Sequence, residues 1–308
     1  MLKKIAVLSL ILAAVSLQAE EKYEGRLEET VVTATGFSEN IDNQIKNITV
    51  ITNQDIKEKG YNSVEDILRR APGINFVNNN FGAITDIRGQ GSEKAAGRVK
   101  VLVDGITMNI LDLSHALVPI NTVSVEEIER IEIINGGGSV LYGNGTAGGV
   151  VNIITKKNRK EGASGKAYYQ NSSYGTNKLG FSAGINLNGK LSIDLGYENI
   201  NGKGYREKER KSSEFLKGGI TYNISDNQSL KFKATRYGEE YAETSGITGE
   251  QVARNRKEAG DTLTLGDVSR KEYTLEYNVK PVENLELSII GYKQKMRREY
   301  DQSDSVTY

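Results

Sequence analysis

The chain has 308 residues with 40 basic and 40 acidic side chains, so its formal net charge is zero and no basic field marks it for nucleic acid. It contains no cysteine, which excludes a disulfide framework and a lipid-anchored cysteine. Glycine is abundant at 33 and proline scarce at 3, a balance that suits a β-rich exported protein.

At the N-terminus Lys3 and Lys4 precede an apolar run from Ile5 to Leu17, broken only by Ser9 and Ser16, and small residues follow. This is the pattern of a secretory signal peptide over residues 1–19, with Ser16 a second option for the cut after Ala19. A buried N-terminal helix is the competing reading. No later apolar run approaches the roughly 20 residues of a membrane-spanning helix. If the mature chain enters a membrane, it must do so as a β-barrel, which also satisfies its own backbone hydrogen bonds. Residues 20–40 are acidic at first and then extended, and read as a flexible leader.

Residues 41–157 alternate short helices with strands, an α/β domain large enough to hold its own core. Three helix starts carry a capping residue and an acid three positions on: Thr52 with Asp55, Ser63 with Asp66, and Ser124 with Glu127. Strand-like runs lie between and after them: NITVI, GINFV, ITDIRG, VKVLVDG, RIEII and GGVVNIIT. The last is preceded by a literal G-x-G-x-x-G at Gly143, Gly145 and Gly148. A dinucleotide fingerprint needs a helix next, so that the pyrophosphate meets a helix N-terminus. The β-branched run Val150 to Thr155 predicts a strand instead, and a glycine-rich turn where backbones approach closely is the better reading. Asp104-Gly105 reads as a turn and not as an acid catalyst.

Residues 158–308 change to long dyad alternation. In KLSIDLGYENI, Leu191, Ile193, Leu195 and Tyr197 point one way while Ser192, Asp194, Gly196 and Glu198 point the other. Seven such segments are predicted, at roughly 163–174, 177–188, 190–200, 214–224, 228–238, 268–279 and 283–297. Tight turns follow the second, fourth and sixth, and long polar stretches, 201–213 and 239–267, follow the third and fifth. Short turns at one end and long loops at the other are how a transmembrane barrel is strung. A soluble β-sandwich with one apolar face fits the dyad equally well.

The segment EETVVTATG, residues 28–36, resembles the TonB box of the TonB-dependent outer-membrane receptors. SVEDILRRAPGINF, DIRG, VLVDG and IERIEIINGGGSVLYGNGTAGGVVNIITK resemble that family's plug domain, in the expected order. The resemblance implies an α/β plug domain followed by antiparallel β-strands of an incomplete transmembrane β-barrel. It implies active uptake of a scarce large nutrient, usually an iron-siderophore complex, sometimes haem or cobalamin, across the bacterial outer membrane, with no enzyme activity and no cofactor. The partners implied are outer-membrane lipid, the nutrient complex, and TonB, which would grip Glu29, Thr30, Val31, Val32, Thr33 and Ala34. An extended segment of this kind can add as a strand to a partner's sheet edge.

By strand order, substrate contacts are expected from two plug turns: Asn78, Asn79, Asn80 and Phe81, and Met108, Asn109, Ile110 and Leu111. In the family two plug arginines face glutamates on the barrel wall. Arg88 matches the first, but Asn135 stands at the second position, so half of that electrostatic latch carries over. His115, the only histidine, is more often structural or exposed than a haem ligand. Plugged transporters have about 22 strands, so seven segments are expected to be the N-terminal part of a receptor. A plug-type binding module that does not transport, or a degenerate receptor fragment, is the alternative.

Overall fold

The computed structural model describes residues 30–31, 39–40, 48–79, 82–91, 95, 97–109, 118, 120–136, 142–156, 161–282 and 285–303. Two two-residue strands, β1 (Thr30–Val31) and β2 (Glu39–Asn40), pair antiparallel. The N-terminal domain then runs β3 (Ile48–Thr52), α1 (Asn53–Glu58), α2 (Val64–Arg69), β4 (Ile74–Asn79), β5 (Gly82–Ile87), β6 (Val99–Val103), β7 (Ile106–Thr107), β8 (Ile128–Ile134) and β9 (Gly149–Thr155).

Both helices start where the capping pattern places them. Thr52 and Asp55 form a reciprocal capping box, and the Ser63 side chain accepts from the Asp66 backbone. The third start is corrected: Val125–Glu127 is a single 3₁₀ turn. Ser124 accepts from the Glu126 N–H, and the Glu127 carboxylate points away from the cap.

The main sheet has the order β3-β8-β9-β6-β7, with β6 and β9 parallel and the other pairs antiparallel. β9 lies at its centre and is buried along its whole length, which explains why GVVNIIT reads as a continuous apolar run and not as an alternation. Val101, Val103, Ile131, Ile133, Val151 and Ile153 share one core with Ile56, Ile67 and Leu68 from the helices. Leu102, Ile134 and Val150 pack on the opposite face.

The glycine-rich segment enters β9 and not a helix, so the dinucleotide reading fails on its own terms. A Cβ on Gly149 would lie 2.5 Å from the Ile134 carbonyl oxygen and 2.6 Å from Ile87 Cδ1. Its φ of 151° is one that side chains other than glycine rarely adopt.

The remainder is one antiparallel meander of seven strands: β10 (Gly162–Ser172), β11 (Thr176–Leu187), β12 (Leu191–Lys203), β13 (Arg210–Ser225), β14 (Gln228–Thr244), β15 (Leu263–Val282) and β16 (Leu285–Ser303). Each pairs with the next, and the sheet does not close. The seven segments fall where expected, but β12 to β16 run further than the alternation does. Their pairing extends to Lys203↔Arg210 and Thr244↔Leu263, which shortens the two long connections to 204–209 and 245–262, the second containing α3 (Gly249–Arg254). Backbone pairing needs no apolar side chain, so strand ends with polar residues on both faces leave no dyad to read.

The faces of this sheet are reversed relative to a soluble protein. Ile185, Ile193, Ile220, Phe232 and Leu275 stand directly opposite one another across five strands and are all exposed, at 36% to 51%. The other face, covered by the N-terminal domain, buries Lys178, Glu198, Lys217, Lys233, Arg270 and Glu272. Apolar-out and polar-in is the pattern of a transmembrane barrel wall. A sandwich would bury the first row.

Candidate functional site

The seam between the N-terminal domain and the sheet is built of buried charge. The β6–β7 turn holds Asp104 at φ 49° and Gly105 at φ 82°, as a hairpin turn of this type requires. The Asp104 carboxylate accepts from the Thr155 N–H at 2.8 Å and hydroxyl at 2.7 Å, tying the turn to the end of β9. It also accepts from Lys233 Nζ at 2.5 Å, across the seam on β14. Burial alone would raise its pKa, but Lys233 and Lys231 outweigh that and hold it well below the ordinary carboxylate range. Lys233 lies 3.9 Å from Glu272, which pairs with Arg270 beside it and accepts from Gln294 at 3.1 Å. Arg270 donates in turn to Thr122 in the N-terminal domain at 3.4 Å.

A second cluster sits at the 3₁₀ turn. The Ser124 hydroxyl donates to Glu198 on β12 at 2.9 Å, and Glu198 also accepts from Tyr168 at 2.7 Å and pairs with Lys178 at 3.0 Å. Glu127 pairs with Lys217 on β13 at 3.0 Å; that ammonium also donates to the Lys156 carbonyl at 3.2 Å and lies 3.4 Å from Asp194. Gly196 makes room, since a Cβ there would lie 3.0 Å from Glu127 Oε1. Towards the long-loop end of the wall, a cavity of about 540 Å³ is lined by Arg206, Glu209, Lys211, Glu239, Tyr241 and Glu243 among others. Lys211 and Glu239 pair across it at 2.7 Å.

The residues expected to contact substrate are placed as follows. Asn78 and Asn79 belong to β4 and pair with Ala83 and Gly82, so they lie on a hairpin strand and not in its turn. Met108 is a core residue, 1% exposed, with its sulfur 4.0 Å from Gln294 Nε2. The Asn109 amide accepts from the Val101 N–H at 2.8 Å and donates to the Val99 carbonyl at 2.9 Å, which commits it to bracing β6. Met108 is thus placed in the core and Asn109 against β6, and neither is presented to a ligand among the described residues. Asn80, Phe81, Ile110, Leu111 and His115 lie outside the described residues, as do Glu29, Val32, Thr33 and Ala34. Thr30 and Val31 are the short strand β1.

Arg88, expected to face a wall glutamate, lies against its own domain among the described residues. It is exposed at φ 69° and donates to the Asn135 carbonyl at 2.9 Å within its own domain, and no described wall carboxylate pairs with it. Among the groups that do reach the wall, Asp104, Thr122, Ser124 and Glu127 carry no sequence signal for it. Asp104 reads as a turn and Glu127 as a cap, and their lysine partners lie 129 and 90 residues away.

Residues 40–150 match the family model of the TonB-dependent Receptor Plug Domain. Among solved structures, the ferric citrate transporter FecA in its unliganded form aligns at 22% identity over 83% of this chain and 40% of its own, with a TM-score of 0.70. The siderophore receptor PirA from Pseudomonas aeruginosa aligns at 24% identity over 83% and 42%, with a TM-score of 0.61. The ferric-catecholate import receptor Fiu from E. coli K12 aligns at 16% over 85% and 40%, with a TM-score of 0.68. The chain thus spans about 40% of the length of the structures it matches. With its match at residues 40–150 and a fold shared with these receptors, the chain carries a TonB-dependent receptor plug domain joined to a seven-stranded antiparallel sheet.

Proposed function

We propose that this chain is the plug and the first wall strands of an outer-membrane receptor that takes up a scarce nutrient, most simply an iron-siderophore complex, driven by TonB. The observation that carries the reading is the reversed sheet: an exposed apolar row on one face and buried, paired charges under the plug on the other. Lipid is the environment in which that arrangement is stable. Iron complexes are favoured as cargo by the ferric citrate, siderophore and ferric-catecholate receptors whose fold the chain shares. Haem and cobalamin are the alternative cargoes.

In this reading the chain is not an enzyme. The plug divides the two sides of the membrane, and the 540 Å³ cavity belongs to the outer vestibule. Glu29 to Ala34 would add as a strand to TonB, and β1 has the extended backbone such an exchange requires. The test is labelled-iron uptake in iron-starved cells, with an antibody against residues 48–156 locating the protein. Outer-membrane location, with uptake lost in a Val31→Pro variant that is still inserted, is the expected result. An inserted receptor whose iron uptake is unchanged by Val31→Pro or by loss of TonB would overturn it.

A further inference from the structure

Among the described residues, the ion pairs between plug and wall gather at one end of the plug's sheet. Ile128 and Thr155 stand side by side at that end, next to Glu127 and Asp104, which carry the ion pairs to Lys217 and Lys233. At the other end of β8 and β9 stand Ile134 and Gly149, beside Asn135 and Arg88. β8 is seven residues long, which puts these two ends about 20 Å apart. One end is locked by buried charge, and the other carries an exposed arginine.

We propose that Asp104 and Glu127 are the residues that anchor the plug to its wall, through Lys233 and Lys217 respectively. The proposal rests on the plug-and-wall reading above. Three observations support it. Each carboxylate is bound on both sides of the seam or at its edge: Asp104 by Thr155 and Lys233, and Glu127 by Lys217, which also holds the Lys156 carbonyl. Each ammonium is itself buried, so removing its carboxylate strands a charge in the seam. Arg88 stands at the opposite end of the sheet, where it donates to the Asn135 carbonyl of its own domain, away from both pairs.

The absence of native cysteine gives a direct assay. Ser213 is buried on the inner face of β13, in a small space bounded by Ser63, Val125 and Glu198. In the full chain in outer-membrane vesicles, Ser213→Cys is expected to react slowly with a water-soluble maleimide. Adding Asp104→Asn and Glu127→Gln, which keep the hydrogen-bond acceptors and remove the charge, should raise the labelling rate at least tenfold. The swap Glu127→Lys with Lys217→Glu should restore protection, whereas either half alone should not. Protection unchanged in the Asn/Gln variant would overturn the proposal. So would a swap as exposed as its single halves in protein that is inserted. If the Asn/Gln variant fails to insert, the swap and its halves decide alone. The readout is plug contact and not uptake, so a failed transport reading with intact protection remains distinguishable.

Discussion

Ile220 offers the sharpest test of the reversed sheet. It lies on the outward face of β13 with Ile193 and Phe232 directly opposite on the two neighbouring strands, and it is 46% exposed. If that face is in lipid, Ile220→Lys places an ammonium near mid-membrane and costs about 2–4 kcal/mol. If the face is in water, the same change is an ordinary surface substitution, within about 0.5 kcal/mol of neutral. The two predictions differ by about 2–3 kcal/mol, on the order of a hundredfold in the folding equilibrium. Asn199, four outward positions from Leu191 on β12 and paired with Glu214, is the control, because a lysine near the membrane boundary costs about 0–1 kcal/mol. Equilibrium unfolding from lipid vesicles in guanidinium chloride measures both. A loss confined to Ile220→Lys supports a lipid-facing wall; equal and negligible effects at the two sites would refute it, and the sheet would have to be covered by protein or water.

Three further outcomes follow from local geometry. Gly149→Ala meets the Ile134 carbonyl at 2.5 Å, a backbone atom that cannot rotate away, so it should cost roughly 2–4 kcal/mol in thermal unfolding and loosen β9 in hydrogen exchange. Gly143→Ala has open space around its Cβ and should cost only about 1 kcal/mol for its φ of 70°; equal losses at the two glycines would discredit the close-packing account. Thr52→Ala removes one partner of the capping box and should destabilise the plug by about 1 kcal/mol, read from its unfolding midpoint. Asp104 is expected to titrate below the ordinary value of about 3.9, so its contribution is complete above that pH and is lost as pH falls through its lower, folded value. Carbon-detected titration of Asp104 should show it still ionised at pH 4, and a midpoint at or above 3.9 would contradict the Lys233 pairing.

The plug was largely legible because its strongest signals are local. Thr52 and Ser63 announce helices through a hydroxyl three residues from an acid, and Val150 to Thr155 announces a strand through β-branching. The pattern failed where a residue's local role hid a distant one. Ser124 and Glu127 satisfy the capping template in sequence, yet Glu127 is drawn to Lys217 on the wall and only a 3₁₀ turn remains. In sequence Asn109 reads as a loop residue, yet its amide completes the hydrogen bonding of Val99 and Val101.

The wall shows a different limit, because its alternation is readable but its sign is not. Leu191, Ile193 and Leu195 alternate with Ser192, Asp194 and Gly196 in either solvent, and a slip of one residue would exchange the two faces. What fixes the sign is a pairing the sequence cannot display: Asp194 and Lys217 lie on neighbouring strands, and Glu127 reaches them from the plug. A buried lysine without such partners would be too costly to keep. With them, the polar row can only face inward, and Ile193, Ile220 and Phe232 must therefore face outward. The plug thus does more than occupy the space inside the sheet: its carboxylates make the inward placement of Lys217 and Lys233 tolerable, and through register that placement sets the apolar surface on the outer face.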